Sequence, residues 1–127
     1  MSEIDISSFL KARARFEEYR IDMLTDRDRA GAIQAFEFTY ELAWKTMRRI
    51  LRSQGVPDPE ITSTKSWVRE AAQMGLISNP KMWFEFINIR NLTVHTYNDQ
   101  ISAKIIECFD DFSVSLDELA RNLEKIK

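Results

Sequence analysis

The 127-residue chain has one cysteine, one histidine, three glycines and three prolines, and each scarcity excludes something. Cys108 has no second cysteine with which to close an internal disulfide. One histidine and one cysteine cannot make a zinc set, and the acidic pairs Asp26/Asp28 and Asp110/Asp111 read as solvated helix faces or caps, so no metal and no cofactor is expected. The glycines, at positions 31, 55 and 75, are too scattered for a phosphate-cradling loop, and the chain is not expected to bind ATP by itself. Glycine and proline together are too few for an all-β fold, which needs a breaker every ~8–12 residues. No apolar run approaches the ~18–20 residues of a membrane span. The opening MSEIDISSFLKAR lacks the basic stretch and apolar core of an export signal, which makes a cytoplasmic location the expectation. There is no excess of one charge either: 18 basic and 20 acidic side chains leave a net −2, so any RNA contact must come from a local cluster.

What is present is apolar and periodic. Hydrophobic residues make up 44% and aromatics 11%, enough for one core, and the length suits a single domain over residues 1–127. Between Ile4 and Leu24, Phe9, Ala12, Phe16, Tyr19 and Met23 recur at helical spacing, with Glu17, Glu18 and their arginine neighbours on a solvated outer face. Thr25 or Asp26 caps a second helix that runs to about Gln54 and stops at Gly55. Its apolar face carries Phe36, Tyr40, Trp44 and Met47, while Phe38 and Leu42 project to the opposite side and suggest a helix or subunit behind them. After the loop GVPDPEITST, Thr62 or Thr64 caps a short helix with Trp67, Val68 and Ala71 inward, ending at Gly75. Asn79-Pro80 opens a fourth helix, and Asn98-Asp99 starts a last one that carries Ile101, Ile105, Cys108, Phe109, Phe112 and Leu116 onward to the C-terminus. The expectation is an all-α, up-and-down bundle of four long helices and one short one. Trp44, Trp67 and Trp83 are all expected in its core. The basic runs Lys45–Arg52 and Lys11–Arg15 read first as solvated faces, the former with the alternative of bordering an RNA channel.

On the fourth helix Arg90 projects with Trp83, Phe86, Ile87, Val94 and Tyr97, so it leaves from the core-facing stripe. A buried guanidinium cannot shed its charge and needs a partner; Glu37 and Glu41, flanking the stripe of the second helix, are the obvious carboxylates. His95 projects ~140° away, on a flank with Asn91 and Phe84. It reads either as a surface or cap residue or as a proton carrier beside a fixed cation, the pair that phosphodiester cleavage needs. Cleavage needs both a base and an acid, and a two-fold dimer would supply a second histidine.

The string Arg90-Asn91-Leu92-Thr93-Val94-His95 resembles the Arg-polar-x-x-x-His motif of HEPN domains, and Tyr97 extends it to the form ending in His-x-Tyr. AIQAFEFTYELAWKTMRRIL, SWVREAAQMGLI and NIRNLTVHTYND follow in the order shown by the nucleotidyltransferase substrate-binding protein family, a HEPN branch, so the resemblance covers essentially the whole chain. It implies a HEPN-like homodimer paired with a minimal (MNT-type) nucleotidyltransferase. It also implies a metal-independent endoribonuclease in which Arg90 stabilises the phosphorane, His95 moves protons and Asn91 orients groups in the cleft. In the toxin–antitoxin form of this pair (type VII-like), the nucleotidyltransferase transfers AMP to the tyrosine of the motif, here Tyr97. The alternative implied by the family name is a non-catalytic subunit that presents a nucleotide or substrate to the partner enzyme.

Overall fold

The computed structural model describes residues 4–126; Met1–Glu3, within the stretch read for an export signal, and Lys127, the expected domain end, lie outside them. Among the described residues there is no strand. Six α-helices follow one another: α1 Ser7–Tyr19, α2 Asp26–Ser53, α3 Thr64–Gln73, α4 Pro80–Leu92, α5 Asp99–Glu107 and α6 Phe109–Ile126, with one 3₁₀ turn, Thr93–His95, between α4 and α5.

Local chemistry sets most of these limits. Thr25 accepts the amide of Asp28, whose carboxylate returns to the Thr25 amide, a reciprocal cap that opens α2. These amide contacts hold the Asp28 carboxyl below the usual range. Gly55 (φ 83°) and Gly75 (φ 85°) take the left-handed conformation that ends α2 and α3. Asn79 accepts the Met82 amide ahead of Pro80, and Asn98 accepts the amides of Gln100 and Ile101. The cap of α3 is Ser63, between the two threonines expected there, and it pairs reciprocally with Ser66.

The largest departure from expectation is at Cys108. The apolar spacing runs through this residue without a break, yet the chain bends there and divides the expected last helix into α5 and α6. Burial pushes the Cys108 thiol up to about 12, so it sits at the bend as a small neutral side chain.

Phe112 of α6 is the centre of the core. Its ring meets Phe16 of α1 at 5.2 Å, Phe36 of α2 at 4.7 Å, and Phe86 of α4 at 5.0 Å, all edge-on, the arrangement aromatic quadrupoles favour. Trp67 and Trp83 are buried as expected, whereas Trp44 is only half-buried at the rim, beneath the Arg48 guanidinium. Val94 and Tyr97, placed by projection with the core-facing stripe, are 69% and 82% exposed because regular α-helix stops at Leu92 and the 3₁₀ turn changes the angle per residue. Phe38 is 62% exposed on the back of α2, whereas Leu42 packs partly against the core.

Part of the α1 face read as solvated is stitched to α6, while Arg15 and Glu18 are exposed as expected. Arg13 pairs with Asp117 at 3.0 Å, Arg20 with Asp110 at 2.6 Å, and Glu17 accepts both Arg20 Nε (3.0 Å) and the Ser113 hydroxyl (2.5 Å). A helical projection shows which way these side chains leave their own helix but not which helix meets them.

Candidate active site

Arg90 leaves α4 two residues before its end and lies over the middle of α2. Its Nη1 is 3.6 Å from Glu37 Oε2 and its Nε 3.6 Å from Glu41 Oε1, the two carboxylates that sequence spacing singles out. These are ionic contacts, too long for hydrogen bonds. The nearest strong contact is local: Nη1 donates to Thr93 Oγ1 at 3.0 Å, and that hydroxyl donates to the Arg90 carbonyl at 2.7 Å. Thr93 is buried and fixes the guanidinium against the helix end, while Nε is buried without a hydrogen bond. The cation is thus neutralised and oriented, but its hydrogen-bonding capacity is not used up.

Tyr40, one turn along α2, is buried, and its hydroxyl is bonded to Thr64 at the start of α3; burial and the neighbouring Glu41 push its pKa up. It keeps a neutral hydroxyl beside the Arg90 ion pairs. Trp44 donates its indole N–H to Glu41 Oε2 at 3.2 Å, so this carboxylate is held by the helix that carries it as well as by Arg90. Sequence reasoning missed Thr93 and Trp44 as supports. A threonine three residues after an arginine at a helix end, and a tryptophan three residues after a glutamate, are the signals that could have marked them.

His95 ends the 3₁₀ turn, exposed, with Nδ1 3.2 Å from the Tyr97 hydroxyl and the two rings edge to face at 5.7 Å. Either the phenol donates to the ring or the ring N–H donates to the phenol; in both cases Nε2 has no partner among the described residues and points away from that bond. Asn91 is exposed, with no side-chain hydrogen bond among the described residues. The structure therefore forms two groups at the end of α4, Arg90–Thr93 with Glu37 and Glu41 of α2, and His95–Tyr97, and no hydrogen bond or ion pair joins them. The turn between them is fastened at its far end, where the Asn98 amide donates to the His95 carbonyl (3.0 Å) and Ser102 to the Thr96 carbonyl (3.0 Å). Among the described residues no cluster of histidine, cysteine or carboxylate could hold a metal ion. No helix is long and apolar enough to cross a membrane.

A family model described as "Nucleotidyltransferase substrate binding protein like" matches residues 5–125. A Haemophilus influenzae protein named probable ribonuclease HepT is 36% identical over 98 residues, 76% of this chain and 67% of that protein. Among solved structures, a Haemophilus influenzae protein described as revealing the fold of a substrate binding domain of a nucleotidyltransferase superposes with a TM-score of 0.86 at 30% identity, over 94% of this chain and 99% of that one. A Thermus thermophilus protein of known crystal structure gives a TM-score of 0.81 at 28% identity, over 91% and 98%.

Proposed function

The chain belongs to the nucleotidyltransferase substrate binding protein like family, and from that premise we propose that it is a HEPN-type toxin, a metal-independent endoribonuclease acting as a homodimer and silenced by a partner nucleotidyltransferase that transfers AMP to Tyr97. The observation that carries the reading is the exposed His95–Tyr97 pair, with Nδ1 and the hydroxyl 3.2 Å apart. In the reaction, the ribose 2′-hydroxyl gives its proton to a histidine and attacks phosphorus; the departing 5′-oxygen takes a proton from the histidine of the second copy. A 2′,3′-cyclic phosphate and a free 5′-hydroxyl result. Arg90, held by Thr93 but not saturated, donates to the phosphorane oxygens, and Asn91 orients groups beside it. Glu37 and Glu41 keep the guanidinium aligned in the meantime.

Silencing follows from the same contact. The Tyr97 oxygen attacks the α-phosphorus of ATP on the partner and releases pyrophosphate, and the phenolic proton is lost. The adduct removes the O–H from the His95 hydrogen bond and sets a phosphate anion against the ring, where substrate phosphate would lie. Expression of the chain alone is expected to arrest growth, and Arg90→Ala or His95→Ala, each still folded, to abolish arrest with a loss of cleavage on the order of 10²–10⁴-fold. Co-expression with the nucleotidyltransferase is expected to add mass in AMP-sized steps that Tyr97→Phe removes. Harmless expression of the unmodified chain would sink the toxin reading.

The description of the Haemophilus influenzae structure as a nucleotidyltransferase's substrate binding domain favours a second reading, a non-catalytic subunit of the partner enzyme. In that case Arg90→Ala and His95→Ala change the partner's transfer reaction while RNA stays intact.

A further inference from the structure

Three cations on α2 and α3 are held in place without any carboxylate. Arg48 lies 4.9 Å over the Trp44 ring, and its Nε is buried with no hydrogen-bond partner. Lys65 and Arg69, four residues apart on α3, sit 4.8 Å and 5.4 Å from the centre of the Phe84 ring of α4. None of the three has an ion pair or hydrogen bond among the described residues. Aromatic faces attract cations but do not neutralise them, so the full positive charge of each remains available to an outside anion.

These cations are linked to the Arg90 cluster through shared neighbours. Trp44, the seat of Arg48, donates to Glu41, which faces Arg90. Lys65 follows Thr64, the partner of Tyr40 beside that same guanidinium. Phe84, the seat of the α3 pair, precedes Arg90 on α4. We propose that Arg48, Lys65 and Arg69 form a track that grips the phosphates of single-stranded RNA on either side of the cleaved linkage; this rests on the ribonuclease reading above. A cation seated over each of these rings leaves it less open to stack on a base than a bare aromatic. The grip is therefore on the backbone and indifferent to sequence, unlike platforms where exposed aromatics take the bases. A polyanionic strand fits better than an acidic protein patch because the three cations are spread over two helices and flank the helix that carries the Arg90 end of the candidate site.

The test is binding of the full chain to short 2′-O-methyl oligonucleotides, which lack the attacking hydroxyl and are not cut, followed by fluorescence anisotropy across a salt series. The triple variant Arg48→Gln, Lys65→Gln, Arg69→Gln is expected to bind on the order of tens of times more weakly at low salt. Its slope of log affinity against log salt should be smaller by about 2, since each phosphate contact on a single strand contributes roughly 0.7. The triple exchange Arg48→Lys, Lys65→Arg, Arg69→Lys, which preserves charge, should restore both, and circular dichroism checks that each variant is folded. Oligouridine and oligoadenosine should bind alike. An unchanged slope in the glutamine variant overturns the track while leaving His95-dependent cleavage untouched, as does a strong preference for one base. If the glutamine variant keeps oligonucleotide binding but no longer co-purifies with the nucleotidyltransferase, the cations serve an acidic protein surface and the track is wrong. Loss of binding in the glutamine variant of a protein that shows no His95-dependent cleavage supports the track and fails only the ribonuclease reading.

Discussion

Two sets of cations on the bundle are held in opposite ways. On the α1–α6 side three arginines meet carboxylates: Arg13 and Arg121 share Asp117, and Arg20 bridges Glu17 and Asp110, contacts that raise its pKa through the Glu17 hydrogen bond first. On the α2–α3–α4 side Arg48, Lys65 and Arg69 rest on rings and meet no acid. Net charge, at −2, conceals the difference entirely. What separates a face that closes the fold from one open to a ligand is how cations are paired, not how many there are. Arg90 lies between the two modes, with acids near it at 3.6 Å and its one hydrogen bond going to a threonine.

Both faces are mounted on the same aromatic core, so the largest expected effect comes from removing its centre. Phe112→Ala should cost about 3–5 kcal/mol, since the ring is fully buried among four others, and chemical denaturation should show this as a lower midpoint. A loss under about 1 kcal/mol would mean the faces are held by their polar contacts and would break the comparison. Next in size, the combined change Arg13→Gln, Arg20→Gln, Arg121→Gln should lower stability by no more than about 1 kcal/mol, because these pairs are partly exposed and screened. It should leave oligonucleotide affinity within about two-fold, since it removes as much charge as the α2–α3 variant but from cations already paired. Equal loss of binding by both variants would reduce the contrast to bulk charge. The smallest effect belongs to Asp28, whose depressed pKa means that its contribution is present above the unfolded carboxylate value and is lost as pH falls through the folded one. Asp28→Asn should remove that part of the acid-side decline in melting temperature and leave neutral-pH oligonucleotide binding unchanged.

Much of the fold is legible because it is written in local chemistry. Thr25, Asn79 and Asn98 cap helices where their side chains say they should, and Gly55 and Gly75 stop them. Ser63 escapes notice because two threonines stand beside it and spacing alone cannot rank three hydroxyls. The bend at Cys108 is hidden by apolar residues that keep their spacing across it. At the candidate site, the carboxylates facing Arg90 can be named from helical projection, since both partners lie on regular helix. The direction of Tyr97 cannot, because the chain changes its winding after Leu92 and a projection at constant angle fails there. The family motif supplies the pairing of Arg90 with His95 as chemistry, and the fold places them on different pieces of backbone. Arg48 stands in the Lys45–Arg52 run that the sequence offers as a possible channel border, whereas Lys65 and Arg69 go unrecognised because Phe84 and the two side chains above it belong to separate helices.

The break at Cys108 leaves α5 as a nine-residue helix of its own. Its far end, at Asn98 and Ser102, is tied to the backbone of His95 and Thr96, whereas Arg90 is anchored to α4 and α2. The imidazole and the guanidinium are therefore held by different anchors, one through the start of α5 and the other through α2 and Thr93.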